Sequence, residues 1–208
     1  DMITLKGNLV APKGAEGIVL FAHGSGSSRF SPRNRYVAGV LQKEGLATLL
    51  MDLLTSEEEK IDMITRQYRF DIEMLANRLG GVTEWLKKND ETKNLNIGYF
   101  GSSTGASAAL IAAAKYPDDI KAVVSRGGRP DLSIPYLPQV KAPTLLIVGG
   151  DDVAVMEMNK EAMKHLHTVN KLEIVPEATH LFEEPGKLEE VARLAAEWFG
   201  RYLKRKRK

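Results

Sequence analysis

Short apolar segments alternate along the chain with segments whose apolar residues recur at helical spacing. The apolar segments predict strands at 17–22, 47–51, 95–100, 120–124, 143–148 and 171–175, with one or two opening strands within 2–10. The helical segments fall at about 32–44, 75–86, 106–114, 156–167 and 188–203. Strands that are apolar on both faces and are separated by helices are typical of a parallel sheet with helices on both sides. The pattern therefore predicts an α/β fold with a mostly parallel central sheet.

Two details of the helical segments carry specific expectations. Ser56 and Glu59 have the spacing of a capping box, in which the side chains at the two ends of a first turn bond to each other's backbone. Gly80 and Gly81 stand in the middle of the long helical segment, and glycine weakens a helix interior. We therefore expect a helix to be capped at Ser56 and the longer helix to be broken near Gly80.

Length and composition limit the classes of protein that fit. The 208 residues suffice for one sizeable core, so we expect a single domain over 1–208. The chain is 43% hydrophobic and 27% charged, which is typical of soluble globular proteins. Its apolar runs are shorter than the roughly 18 residues of a membrane span, and its first residues do not resemble a secretion signal. We therefore expect a cytoplasmic protein with no membrane partner.

Charge and cysteine content narrow the chemistry further. The net charge is only +2, and much of the positive excess lies in the basic run 204–208. Basic and aromatic residues are not patterned elsewhere as nucleic-acid recognition requires, so we expect no nucleic-acid partner and a solvated basic tail. The chain has no cysteine, which excludes disulfides, thiolate metal sites and a cysteine nucleophile. The closing helix fits a monomer or a homodimer.

The most informative motif is the sequence GSSTG at 101–105. It follows a predicted strand and precedes a segment rich in strong helix formers, which is the context in which G-x-S-x-G forms a nucleophile elbow. In such an elbow the central serine, here Ser103, sits on a tight turn at the end of a strand. The first N–H groups of the following helix, beginning with Thr104, then face the position where a substrate oxyanion forms.

The other groups that nucleophilic catalysis needs follow later in the chain. A serine hydroxyl reacts only when a base takes its proton, and a third group orients that base. His180 follows the last predicted strand and leaves the same edge of the sheet as Ser103, so we expect it to be the general base. Asp151 and Asp152 follow the strand 143–148, and either carboxylate can orient the imidazole.

A glycine-rich loop, HGSGSS at 23–28, follows the strand 17–22. Its glycines let the backbone approach a ligand closely, and the N–H of Ser25 is expected to complete an oxyanion hole with that of Thr104. The loop lacks both the G-x-G-x-x-G fingerprint and a Walker lysine, so a phosphate-cradling loop is not indicated. His23 is expected to brace the loop rather than to act as a base.

Three arginines near this edge have two possible roles. Arg29 follows the glycine-rich loop, and Arg126 and Arg129 follow the strand 120–124. A guanidinium group can recognise a carboxylate or phosphate on a substrate. The alternative is intramolecular pairing with carboxylates such as Asp52 and Asp131. A similar choice concerns segment 55–68, which is either a short lid over the pocket or the start of a surface helix.

Together these motifs resemble those of the α/β-hydrolases, and more narrowly of a small, capless dienelactone-hydrolase-like protein. The resemblance covers most of the chain and implies the α/β-hydrolase fold without a large cap, hydrolysis of carboxylic esters through an acyl-enzyme, and no cofactor. The spacing of Gly149, Asp152 and Val155 matches a pattern common in these hydrolases and favours Asp152 as the acid. Dienelactone hydrolases have a cysteine nucleophile and a glutamate in the oxyanion loop, and this chain has neither. The dienelactone substrate therefore does not follow from the resemblance.

The sequence thus predicts a serine esterase that acts on a small-molecule ester, including an anionic one if the arginines bind substrate. An acyltransferase or perhydrolase with the same triad is one alternative, because only the nucleophile that resolves the acyl-enzyme differs. A non-catalytic small-molecule-binding module is another, since a fold does not fix a function. A metal-dependent enzyme is not expected, because His165 and His167 lack a third ligand nearby in the sequence.

Overall fold

The computed structural model describes residues 3–205, and a seven-stranded sheet forms its centre. In chain order the strands are β1 (Gly7–Val10), β2 (Gly17–Ala22), β3 (Ala47–Met51), β4 (Asn96–Ser102), β5 (Ile120–Arg126), β6 (Thr144–Gly149) and β7 (Asn170–Val175). Across the sheet their order is β1-β3-β2-β4-β5-β6-β7. Only β1 is antiparallel to its neighbour, β3, and the other five neighbouring pairs are parallel. The predicted parallel sheet is confirmed.

Helices cover both faces of the sheet. They are α1 (Pro32–Lys43), α2 (Ser56–Thr65), α3 (Ile72–Lys88), α4 (Thr104–Lys115), α5 (Val153–Met163) and α6 (Lys187–Leu203), with a 3₁₀ helix at Pro130–Gln139. The first and last, α1 and α6, pack together on one face. The other face carries α3, α4, α5 and the 3₁₀ helix. Among residues 3–205 no large cap is evident, and α2 is an additional helix between β3 and α3.

Helix α4 and strand β2 are almost completely buried. Every residue of β2 is buried, and so is every residue of α4 except Lys115. Most buried side chains of α4 are alanine, glycine, serine or threonine, so the helix axis can lie close to the sheet. Close packing fixes the first turn of α4 directly after Ser103, at the end of the central strand β4.

The capping box of α2 lies one residue earlier than the sequence suggested. Thr55 is the N-cap: its Oγ1 accepts from the Glu58 N–H at 3.2 Å, and Glu58 Oε2 accepts from the Thr55 N–H at 2.8 Å. The expected pair Ser56 and Glu59 has the same spacing and residue types, so local sequence does not separate the two. A tertiary contact favours the observed one, because the Arg78 guanidinium in α3 donates two hydrogen bonds to the Glu58 carboxylate, at 2.7 and 2.5 Å.

The expected break at Gly80 is wrong, since α3 runs without interruption from Ile72 to Lys88. Gly80 instead permits a close contact. A Cβ atom at this position would lie 2.4 Å from a ring carbon of Tyr116, which follows α4. The glycine therefore allows α3 and α4 to approach, and burial of the helix outweighs its weak intrinsic propensity.

Parts of the terminal segments fall outside the described range. Of segment 2–10 only Gly7–Val10 forms a strand, and residue 2 is not described. The basic run 204–208 is described only to 205, so the expected solvated tail lies largely outside the described residues. Within 3–205, none of the helices has the length and apolar character that crossing a bilayer requires.

Candidate active site

Three strands deliver the predicted catalytic side chains to one edge of the sheet. Ser103 follows β4 directly, Asp152 lies three residues after the end of β6, and His180 lies five residues after the end of β7. These strands are parallel, so their carboxyl ends share an edge, which is where α/β proteins bind ligands. The topology therefore places all three residues of the expected triad on the same side of the molecule.

Ser103 has a strained backbone that defined hydrogen bonds hold in place. Its φ of 51° and ψ of −122° lie in a region that residues other than glycine rarely adopt. Its N–H donates to the carbonyl of Arg126 at 3.2 Å, and its carbonyl accepts from the N–H groups of Ala106 at 3.1 Å and Arg129 at 3.2 Å. These bonds offset the strain and fix the turn between strand and helix, as an elbow requires.

The two glycines of the motif allow the turn to be this tight. A Cβ atom at Gly101 would lie 2.3 Å from the Cα of Ala106. A Cβ atom at Gly105 would lie 2.3 Å from the carbonyl oxygen of Ala22 and 2.4 Å from that of His23. The first contact is between strand and helix within the elbow, and the second is between the helix and the start of the loop 23–28.

We expect Gly105→Ala to destabilise the protein by roughly 3 kcal/mol, because the backbone contacted by the new methyl group cannot rotate away. Gly39→Ala in α1 is the matched control: a Cβ there has no neighbour within 4 Å, and alanine is the better helix former. Chemical denaturation of both variants gives the measurement. A Gly105→Ala variant as stable as wild type would contradict the contacts described.

The proposed base and acid are in direct contact. His180 Nδ1 lies 2.7 Å from Asp152 Oδ2, and the two side chains are 39% and 16% exposed. The imidazole also packs against Gly127, where a Cβ atom would lie 3.4 Å from Nδ1. Asp151 is exposed and makes no side-chain hydrogen bond within 3–205. With Nδ1 engaged by the carboxylate, Nε2 remains for proton exchange.

Among the hydrogen bonds of residues 3–205, none joins Ser103 to His180. The pair His180 and Asp152 is thus assembled, whereas the serine is positioned separately by its backbone. Apo enzymes often show long or absent catalytic hydrogen bonds that form only when the substrate is bound.

The glycine-rich loop 23–28, which we call the oxyanion loop, differs in one respect from the arrangement expected from the sequence. The Ser25 N–H donates to Thr104 Oγ1 at 3.0 Å, so it is engaged by a side chain rather than open. The N–H of Thr104 is at the first position of α4, where no intrahelical acceptor exists. The loop lies against Ser103, since a Cβ atom at Gly24 would be 3.1 Å from the Cβ of Ser103.

His23 links the oxyanion loop to the segment after β3. Its Nδ1–H donates to the Gly24 carbonyl at 2.9 Å, and its Nε2 accepts from the Leu53 N–H at 3.1 Å. The second bond requires the neutral imidazole, because a protonated Nε2 cannot accept a hydrogen bond. Burial lowers the pKa of His23 below its ordinary value, which also favours the neutral form.

This burial predicts a loss of stability in mild acid. Below the ordinary pKa of 6.5 the unfolded chain binds a proton at His23 while the folded protein does not. The free energy of unfolding should then fall by up to about 1.4 kcal/mol per pH unit, until the pH reaches the lower pKa of the folded state. We expect His23→Gln, although less stable at pH 7, to show a shallower decline between pH 7 and pH 5. Parallel curves for both proteins, from urea denaturation, would contradict the assignment.

Two of the three candidate substrate-binding arginines are already paired. The backbone N–H of Arg29 donates to Asp52 Oδ1 at 2.8 Å, and its guanidinium group contacts the other oxygen of that carboxylate. Arg129 forms a bidentate pair with Asp131 at 2.9 and 2.8 Å. For these two residues the structure shows the intramolecular alternative rather than free guanidinium groups.

Arg126 is enclosed rather than exposed to a substrate. Only 6% of the residue is accessible, its Nε donates to Ser102 Oγ at 3.3 Å, and its guanidinium lies 5.9 Å from the ring centre of Phe182. Burial lowers the pKa of Arg126 to about 10, so the side chain stays charged at neutral pH. Its Nη1 has no hydrogen-bond partner within residues 3–205. Its carbonyl and its Nε bond to Ser103 and Ser102, so Arg126 supports the turn that carries Ser103.

A cavity of about 290 Å³ lies beside the oxyanion loop. We call it the loop–α2 cavity, because the loop 23–28 forms one wall and residues of α2 and the turn after it form another. The cavity also reaches Thr104, at the start of α4. Further lining residues come from after β3 and from α2, the turn after it and α3: Asp52, Leu53, Leu54, Glu59, Asp62, Met63, Arg69 and Leu75. Segment 55–68 thus contributes a wall of this cavity, although its lining residues were not predicted individually.

Comparisons with known proteins agree with the fold and the motifs. A sequence model of the dienelactone hydrolase family matches residues 5–204. The crystal structure of a dienelactone hydrolase from Anabaena variabilis is 65% identical, covers 97% of this chain and 94% of its own, and superposes with a TM-score of 0.96. Est1E from Butyrivibrio proteoclasticus is 19% identical with a TM-score of 0.80, over 95% of this chain and 93% of its own, which shows a shared fold. The predicted α/β-hydrolase fold is thereby confirmed.

One curated relative carries a name that refers to a transferase rather than to a hydrolase. A Mycobacterium tuberculosis protein named "Putative phosphoribosyl transferase" is 57% identical over 197 residues, which are 95% of this chain. The matched part is 44% of that protein, so this chain spans less than half the length of its curated relative.

Proposed function

Because the chain belongs to the dienelactone hydrolase family, we propose that it is a serine hydrolase that cleaves small carboxylic esters through an acyl-enzyme. The observation that carries this proposal is the strained Ser103 at the end of β4, at the same sheet edge as the hydrogen-bonded pair of His180 and Asp152. Strain of this kind persists only where the surrounding structure maintains it, and it clusters at reactive positions.

In the proposed first step, Ser103 Oγ attacks the ester carbonyl carbon and its proton passes to His180 Nε2. The carboxylate of Asp152 stabilises the imidazolium through Nδ1. The tetrahedral intermediate collapses when His180 donates that proton to the departing alcohol oxygen. Water, activated by the same imidazole, then attacks the acyl-enzyme, and the acid is released from Ser103.

The oxyanion is proposed to accept from the N–H groups of Thr104 and Ser25. Because the Ser25 N–H donates to Thr104 Oγ1 in the free protein, the forming oxyanion has to share or replace that bond. A rotation about χ1 of Thr104 would release the Ser25 N–H from the hydroxyl. One oxyanion donor typically contributes about 3 kcal/mol to transition-state stabilisation.

Hydrolysis is favoured over acyl transfer by the exposure of the base. The His180 side chain is 39% exposed, so water reaches the imidazole without a conformational change. The three arginines are left out of the proposed substrate site, because two are paired and one is enclosed. Phosphoribosyl transfer, the activity in the name of the longer mycobacterial relative, is not proposed for this chain, because the chain matches the hydrolase family over 5–204 and only 44% of that relative.

Turnover of p-nitrophenyl acetate, butyrate and hexanoate by the purified protein tests the proposal. We expect saturable release of p-nitrophenol with the free acid as the main product. Added ethanol or hydrogen peroxide separates the alternatives, since an acyltransferase or perhydrolase gives mainly the ethyl ester or the peracid. A binding module would show saturable binding without turnover, which would contradict the proposal.

A further inference from the structure

The loop–α2 cavity and the catalytic base lie on opposite sides of the nucleophile. In the sheet, β4 with Ser103 separates β2 and β3 from β5, β6 and β7. The cavity is formed by segments that follow β2 and β3, whereas Asp152 and His180 follow β6 and β7. A substrate bound at Ser103 therefore has the base on one side and the cavity on the other.

Provided that the proposed function holds, this arrangement determines on which side of Ser103 the alcohol and the acyl chain of an ester lie. His180 has to protonate the leaving alcohol oxygen, so the alcohol lies on the side of β5 to β7. The carbonyl oxygen lies at Thr104 and Ser25, both of which line the cavity. The remaining substituent of the carbonyl carbon, the acyl chain, then points towards β2 and β3, into the loop–α2 cavity.

The size and lining of the cavity limit the acyl chain. Its volume of about 290 Å³ is nearly twice that of an engineered cavity of about 150 Å³ that binds benzene. Four apolar side chains contribute to its wall: Leu53, Leu54, Met63 and Leu75. An acetyl group leaves most of this volume unfilled, whereas a chain of about six carbons covers the apolar wall and gains about 0.8 kcal/mol per buried methylene.

The wall formed by α2 and the following turn is held in place. The buried carboxylate of Asp62 accepts from the N–H groups of Tyr68 at 2.8 Å and Arg69 at 3.0 Å, and from Arg69 Nε at 2.6 Å. Burial by itself would raise the pKa of Asp62, but these hydrogen bonds outweigh it and keep the carboxyl ionised. The chain reverses at Arg66, whose φ is 56°. The cavity is therefore formed before substrate binds.

The charges around the cavity disfavour an anionic chain. Asp52 is paired with Arg29, and Asp62 with Arg69. Glu59, whose residue is exposed to solvent, is the lining carboxylate whose side chain makes no ion pair or hydrogen bond within residues 3–205. It leaves one uncompensated negative charge at the wall of the cavity.

We propose that the loop–α2 cavity is the acyl pocket, that it takes uncharged acyl chains of about six carbons, and that Glu59 rejects acyl chains ending in a carboxylate. The anionic ester considered from the arginines is therefore not the expected substrate. Leu54 and its apolar neighbours select for length, and Glu59 selects against charge.

Two p-nitrophenyl esters that differ only in the terminal group test the role of Glu59: the hexanoate and the half-ester of adipic acid. At low ionic strength we expect wild type to prefer the hexanoate in kcat/KM by about tenfold, and Glu59→Lys to lower this preference at least fivefold. Glu57→Lys is the matched control, because Glu57 is an exposed residue of the same helix that does not line the cavity. Its preference should stay within about twofold of wild type.

Length selection is tested by Leu54→Trp, which fills the cavity. We expect the ratio of kcat/KM for the hexanoate to that for the acetate to fall about tenfold, with the acetate little affected. If wild type hydrolyses acetate but both ratios are unchanged in Glu59→Lys and Leu54→Trp, the acyl-pocket assignment is wrong while the proposed function stands. If no ester is hydrolysed, both fail.

Discussion

Replacing Ser103 with glycine is expected to abolish ester hydrolysis and, at the same time, to stabilise the fold. Activity is lost because the nucleophile is removed, with a decrease in kcat of roughly 10⁵-fold or more. Stability rises because glycine adopts a φ of 51° and ψ of −122° without the steric cost that a Cβ atom imposes. We expect a net gain of about 1 kcal/mol, since release of strain exceeds the larger entropy of glycine in the unfolded chain.

Ser103→Ala separates the two effects. Alanine lacks the hydroxyl but keeps the Cβ atom, so this variant should be as inactive as Ser103→Gly and close to wild type in stability. Urea denaturation and steady-state kinetics on one preparation of each protein provide both quantities. A glycine variant less stable than the alanine variant would show that the elbow does not store strain.

Asp152→Asn is expected to lower kcat by about 10⁴-fold at neutral pH with little change in KM. An amide cannot stabilise the imidazolium of His180 and can hold the neutral ring in the wrong tautomer. The fold should tolerate the change, because Asp152 begins α5 without a side-chain capping bond. Asp151→Asn is the matched control: Asp151 is the exposed neighbour, so its substitution should leave kcat within about twofold. Equal losses in the two variants would contradict the assigned acid.

Sequence was sufficient for the sheet because the signal is strong and repeated. Each parallel strand is a short apolar run, and the connections between these runs are long enough to hold helices. Features set by distant contacts were not predictable. The choice of Thr55 over Ser56 as the cap depends on Arg78 in another helix, and the continuity of α3 through Gly80 depends on the packing of that helix against α4.

In the candidate site, too, features set by neighbouring residues were predictable and features set by distant contacts were not. The tight turn between strand and helix at Ser103 was predictable because the motif, the strand and the helix are contiguous. The partners of the arginines were not predictable, because pairing depends on which carboxylate the fold brings near. The pairing of Arg29 with Asp52 is an example. The hydrogen bond from the Ser25 N–H to Thr104 joins residues that are 79 positions apart in the sequence. Bonds of that kind become visible only in three dimensions.

Whether Ser103 is an activated nucleophile is tested by the intact mass of the folded protein after incubation with a fluorophosphonate, followed by peptide mapping. We expect one adduct, located on Ser103, formed much more slowly in Asp152→Asn and absent in Ser103→Gly. A folded wild-type protein that forms no adduct, or forms one at another residue, would show that Ser103 is not an activated nucleophile.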